Sequence, residues 1–235
     1  MSNERHEDHH HLQGGRYQAA SGTLASAASY VARSASTGGA GDGSGASFAT
    51  SFEAILAWGE ANNLILLPEE FSFFKRLPDA SGNEHEVWFD ELSNRWFKAT
   101  YPDHFGIAWG REGSAWPCEY LTRLLLQNKY FGDDIRLVAL INDRKHLRVL
   151  TSQPHIAGES APYAEIQKWF CDLGFCRLEC RGCVAWYLKQ ENLLVADAHE
   201  GNVIRTPKGT LIAIDLNIMQ PAGELLEWVL SEIEK

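Results

Sequence analysis

Val195-Ala196-Asp197-Ala198-His199-Glu200-Gly201-Asn202, followed by a short hairpin and then Ile212-Ala213-Ile214-Asp215, is the stretch on which the fold of this chain turns. It sets three oxygen-bearing side chains, Asp197, Asn202 and Asp215, at the ends of successive predicted strands. Asn202 follows Asp197 by five residues, and Asp215 follows Asn202 by thirteen. The hairpin from Val203 to Ile214 turns at Pro207-Lys208-Gly209, which returns Asp215 to the edge that Asn202 leaves. Asp and Asn flanking Gly201 are also ordinary turn formers, so their spacing alone has a purely structural account. The added carboxylate after an apolar strand is what favours a site.

A carboxamide and carboxylates are hard oxygen ligands and suit magnesium better than a His or Cys set. Phosphoryl transfer asks for little more: a positioned nucleophile, held phosphates, and cations against the negative charge. In that chemistry Asp197 accepts the proton of a substrate hydroxyl or orients it, while Asn202 and Asp215 hold Mg2+. Lys98, in the strand Trp96-Phe97-Lys98-Ala99-Thr100, is placed to grip phosphates, and Glu119, early in the next helix, to pair with it. Taken singly, both read as solvated surface residues, and their order ahead of the acidic cluster gives them weight. His199 is placed either to contact a phosphate or to pack and hydrogen-bond within its own loop.

Composition narrows the partners. The 235 residues carry a formal charge of −10, which argues against nucleic acid and anionic membranes. Hydrophobic residues at 45% and charged residues at 22% are ordinary for a globular protein, and no apolar run has the length of a membrane span. With no signal peptide in view, the expected location is cytoplasmic, where the five cysteines stay reduced. Cys171, Cys176, Cys180 and Cys183 leave structural zinc open as an alternative to free thiols. His6, His9, His10 and His11 are either a chelating run or a solvated one.

Three segments follow from patterning. Residues 1–49 are rich in Ala, Ser and Gly and read as a disordered tail, with Thr23 capping at most a transient helix from Leu24 to Arg33. Residues 50–152 read as a helix capped by Thr50 and Glu53, then a sheet with one internal helix opening at Pro117. The strands expected there are Phe71 to Leu77, Glu86 to Phe89, Arg95 to Ala99, Ile135 to Ile141 and Leu147 to Thr151. A linker is expected near Gln153-Pro154. Residues 153–235 hold a helix stopped by Gly174, five short strands including Leu193 to Val195, and a final amphipathic helix with Leu226, Val229, Leu230 and Ile233.

In Gly82 to Phe89, Arg95 to Lys98, Glu119 to Leu121, Thr151 to Pro154, Asp197 to Asn202 and Ile214-Asp215 the chain resembles the protein-kinase-like superfamily. More closely, it is similar to the polyvalent-protein kinase family of phage and mobile elements. The resemblance implies an α+β, two-lobed protein-kinase-like fold with a minimal C-terminal lobe. It also implies ATP and Mg2+ in the cleft, Gly82 in the phosphate-side turn and Gln153 near the inter-lobe hinge. Two departures stand out: there is no Gly-rich loop before Lys98, and Asp215 is followed by Leu216-Asn217 rather than Phe-Gly. Only 20 residues follow Asp215, so no large helical substrate platform is expected. The expected function is that of an atypical kinase, a phosphotransferase acting from bound ATP on a hydroxyl of an unknown phosphoacceptor, expected to be a protein. The alternatives are an inactive, nucleotide-binding pseudokinase serving as an interaction module, and an acidic regulatory protein whose edge merely binds cations.

Overall fold

Residues 20–37, 48–74, 80–109, 113–143, 146–180 and 183–234 are described by the computed structural model, and their architecture is mixed α+β. They fall into two compact units. One holds the described residues up to Ile107 together with Gly113–Leu121 and Asp134–Pro154; the other holds Ala108 and Trp109, Thr122–Asp133, and the described residues from His155 onward.

The first unit is built on a six-stranded sheet. Its order is β1 (Ile65–Leu66), β5 (Arg136–Asn142), β6 (Leu147–Pro154), β4 (Arg95–Thr100), β3 (His85–Asp90), β2 (Ala80–Ser81). Only β1 and β5 run parallel. The alternation Arg95-Trp96-Phe97-Lys98-Ala99 sends Phe97 and Ala99 into a core with Trp88, Ile141 and Leu150, while Lys98 takes the other face and is half-buried. Trp88 and Phe97 stack across the β3–β4 pair at 5.8 Å.

Three helices dress this sheet. Helices α1 (Ala20–Thr37) and α2 (Phe48–Ala61) pack on each other, and both meet β5. Leu24, Ala27 and Val31 of α1 are fully buried, so residues 20–37 are an ordered helix and the tail reading fails there. Small residues dominate its composition, yet four apolar positions at helical spacing are enough to bury a stripe once α2 supplies the other side. Residues 1–19, with His6 and His9 to His11, and 38–47 lie outside the described residues, and 48–49 open α2. Helix α3 (Pro68–Phe74) replaces the strand expected from Phe71. Pro68 at its first position and Glu69 and Glu70 in its first turn favour a helix start, and Phe71 reaches the core described above. Thr23 and Thr50 lie inside their helices rather than ahead of them, three and two residues after the starts of α1 and α2.

Helix α4 (Pro117–Phe131) starts as its sequence dictates. Pro117 occupies the first turn, and the Glu119 carboxylate accepts the Trp116 N–H at 2.6 Å. Buried Tyr120 pairs its hydroxyl with His85 Nε2 at 2.9 Å.

In the second unit a four-stranded antiparallel sheet runs β13 (Asn217–Met219), β10 (Leu193–Ala196), β9 (Cys183–Leu188), β8 (Cys176–Cys180). Its two faces belong to different cores. Leu193 and Val195 join Trp186, Ile218 and Phe170 on one side; Leu194 and Ala196 join Leu178, Ala185, Tyr187 and Val229 on the other. Helix α5 (Tyr163–Asp172) closes the first of these and α6 (Gly223–Ile233) the second. Gly174, at φ 86°, ends α5: its N–H meets the Cys171 carbonyl, and the Phe175 N–H meets that of Phe170. The Phe170 and Phe175 rings touch edge to face at 5.1 Å, completing the cap. A three-stranded sheet, β12 (Leu211–Ala213), β11 (Val203–Arg205), β7 (Glu159–Ser160), carries the predicted hairpin. No described helix is long and apolar enough to cross a membrane.

Buried Arg95 in the first unit bonds the Ser152 hydroxyl and carbonyl and the Asp134 carboxylate, which Arg136 also grips at 2.6 Å. Burial pushes the Asp134 carboxyl up, but the hydrogen bonds from Arg136 and Arg95 outweigh it and hold the group below its ordinary value. A carboxyl depressed in the folded state contributes stability that is complete above its unfolded pKa and lost as pH falls through the folded one. Melting temperatures of wild type and Asp134→Asn are therefore expected to differ at neutral pH and to converge below about pH 4. A gap that stays constant down to acid pH removes this assignment.

Candidate functional site

Strand β10 delivers Asp197. Four consecutive buried residues end at Ala196, and the next side chain emerges into solvent at 60% exposure. The backbone of Asp197 is left-handed, φ 63°, a region that Asp tolerates better than most residues but that still costs on the order of 1 kcal/mol. This turn reverses the chain so that Asn202 comes back onto it. Asn202 Nδ2 donates to the Asp197 carbonyl at 2.9 Å and to Asp197 Oδ2 at 3.1 Å.

His199 lies on the other carboxylate oxygen. Its Nδ1 accepts the Gly201 N–H at 3.0 Å, which leaves the proton of the neutral ring on Nε2, 3.4 Å from Asp197 Oδ1. Of the two expectations for His199, hydrogen bonding within its own loop is the one the geometry displays. Backbone bonds from His199 N to the Asp197 carbonyl and from Asn202 N to the His199 carbonyl complete the loop.

Asp215 arrives from the other strand end. The Ile214 N–H donates to the Asn202 carbonyl at 2.9 Å, which locks the residue before Asp215 to the loop. Beyond it, β13 pairs Asn217 with Ala196, the residue before Asp197. Asp197, Asn202 and Asp215 thus share one edge of the second unit, and Asp215 is exposed. The donor set suits a hard cation: with Nδ2 spent on Asp197, the oxygen of Asn202 is the atom left to ligate, beside a carboxylate. No group of three or more His, Cys, Asp or Glu side chains able to hold a metal exists among the described residues. An Asn–Asp pair would therefore need phosphate oxygens and water to complete a magnesium shell. Cys171 and Cys176 are exposed free thiols, and the side chains of Cys180 and Cys183 lie outside the described residues.

The remaining predicted residues belong to the first unit. Lys98 sits on β4 opposite Val87 and Thr151, whose hydroxyl donates to the Lys98 carbonyl at 3.3 Å. Glu119 lies in the first turn of α4 with one oxygen on the Trp116 N–H. Gly82 is exposed in the turn between β2 and β3, its N–H on the His85 carbonyl. Gln153 is buried in β6 opposite Trp96, so it is a strand residue, not part of a linker; the chain leaves this unit one residue later, after Pro154.

Two contributors had no signal in the motif. Glu200 Oε1 accepts the Tyr163 N–H at 3.1 Å, tying the loop to the start of α5. Gly158 precedes β7 where any Cβ would overlap the Arg205 carbonyl on β11. A glycine followed by a two-residue strand is too short a pattern to read from sequence.

The fold is mixed α+β, and its acidic edge is organised around an Asp–Asn pair at the end of a doubly buried strand. The chain belongs to the family of serine/threonine/tyrosine kinases found in polyvalent proteins, whose model matches residues 50–220. Searches of curated proteins and of solved structures found no match.

Replacing Gly158 by Ala is expected to push β7 off β11 and lower the melting temperature, by about 2 kcal/mol of stability; an unchanged melt sinks the close-approach account. At position 197, glycine is expected to melt at or above wild type and alanine below it by about 1 kcal/mol, because only glycine relieves the left-handed backbone. Equal melts for the two variants would show that the backbone there carries no strain.

Proposed function

We propose that the chain transfers the γ-phosphoryl group of ATP to a hydroxyl, of a serine, threonine or tyrosine side chain in a protein substrate. The observation that carries the reading is the bond from Asn202 Nδ2 to Asp197 Oδ2. It fixes the carboxylate and turns the amide oxygen of Asn202 toward ligation, both at once.

In this reading Asp197 receives the hydroxyl proton as the substrate oxygen bonds to the γ-phosphorus, the bond to the bridging oxygen breaks, and ADP departs with that electron pair. His199 and Asn202 hold the two carboxylate oxygens so that the group meets the nucleophile in one orientation. Magnesium, when bound by Asn202 and Asp215, supplies charge neutralisation at the phosphates. Lys98 serves the phosphates, with Glu119 holding it, and Gln153 and Gly82 border the nucleotide. A second reading, nucleotide binding without turnover, rests on the turn at Gly82, which has one glycine where a phosphate-covering loop uses several.

Purified protein is expected to bind ATP in a magnesium-dependent way, and Asp215→Ala and Lys98→Met to lose that binding. Asp197→Asn should keep nucleotide affinity and lose turnover by about 100-fold or more, measured as phosphate transfer to the protein itself or to a peptide array. Binding without transfer in wild type selects the second reading. Wild type that binds no nucleotide at all refutes both.

A further inference from the structure

Gln127 is a polar residue in an apolar place. It follows Tyr120 by seven residues and Leu124 by three, on the face of α4 that points inward, and is 2% exposed. Its Nε2 donates to the Ala213 carbonyl at 2.9 Å and reaches Asp133 Oδ2 at 3.3 Å. Its Oε1 is buried with no hydrogen-bond partner. Burying a carboxamide with one oxygen unsatisfied is unfavourable, and a leucine or methionine would fill the same volume without that cost. Packing alone gives no reason for glutamine here.

The reason lies at the other end of its hydrogen bond. Ala213 closes β12, and the next two residues are Ile214 and Asp215. The Ile214 N–H is bound to the Asn202 carbonyl. The peptide unit joining Ala213 to Ile214 is therefore clamped on both sides: its oxygen by Gln127, its N–H by the residue expected to share a cation with Asp215. A peptide held at both its polar atoms cannot rotate, and rotation there is what would swing Asp215 away from Asn202.

We propose that Gln127 is a positioning residue that sets Asp215 at ligating distance from Asn202; this rests on the reading of those two residues as the cation ligands. Gln127 touches neither cation nor nucleotide. It acts through the backbone, as outer-shell groups do when they orient a ligand.

The test uses the full chain, Mg2+ and a non-hydrolysable ATP analogue. In Gln127→Met the magnesium concentration for half-maximal nucleotide binding should rise about tenfold. Nucleotide affinity at saturating magnesium and the melting temperature should stay near wild type. A magnesium midpoint equal to wild type overturns the proposal, as does a fall in affinity that saturating magnesium does not restore. Should the variant fail to fold, the wild-type side-chain amide of Gln127 answers the question by NMR. Its resonances should move on adding Mg2+ to the nucleotide-bound protein, and resonances that stay put overturn the assignment. Wild type with no magnesium-dependent nucleotide binding refutes the kinase reading and this inference together; normal wild-type binding with an insensitive Gln127 refutes this inference alone.

Discussion

Burial of β10 on both faces is the constraint from which the rest of the second unit follows. Leu193, Leu194 and Val195 are each fully buried, two against the α5 side and one against the α6 side. Each such side chain contributes roughly 1.5–3 kcal/mol by leaving water. That far exceeds the cost of a left-handed residue at the strand's end, so the strand dictates where the chain must turn and Asp197 accepts the conformation. An exposed carboxylate on a rigid stem results. Stiffness comes from the hydrophobic core, and the exposed carboxylate is carried by the residue that leaves it.

The loop beyond Asp197 satisfies itself. His199 and Asn202 turn their polar atoms back onto Asp197, and Glu200 reaches out to α5. Exposed hydrogen bonds of this kind add little to global stability, since water competes for every partner. Their value is directional. They select one orientation of the carboxylate and one of the Asn202 amide, and the adjoining hairpin brings Asp215 into register through a single backbone bond from Ile214.

Much of this was legible before any coordinates. The strand Leu193 to Val195, the hairpin between Asn202 and Asp215, the helix stop at Gly174 and the start at Pro117 all follow from local chemistry, and the fold bears each of them out. What local pattern could not supply was context. The run from Phe71 has the aromatic density of a strand, but Pro68 and two glutamates set a helix going before it. Strands of two or three residues, such as β1, β7 and β13, exist because a neighbour pairs with them, and nothing in their own sequence announces it. Residues 20–37 misled by composition: alanine and serine suit solvent, yet Leu24 and Val31 at helical spacing suffice when α2 covers them. In the candidate site, spacing anticipated the loop that returns Asn202 to Asp197, whereas Gln127 becomes visible only as a polar interruption of an apolar helix face.

The helices at the two ends of the chain give the matched span a practical meaning. Residues 50–220 are where the family pattern lies, but α1 precedes that span and α6 follows it. Leu24 and Val31 belong to the cover of β5, and Val229 to the second core against β10's neighbours. Cutting the chain at the limits of the matched span would remove α1 from α2 and β5 and Val229 from its core, and so expose apolar surface. The span that the family model matches and the span that packs into the cores are different lengths of this polypeptide.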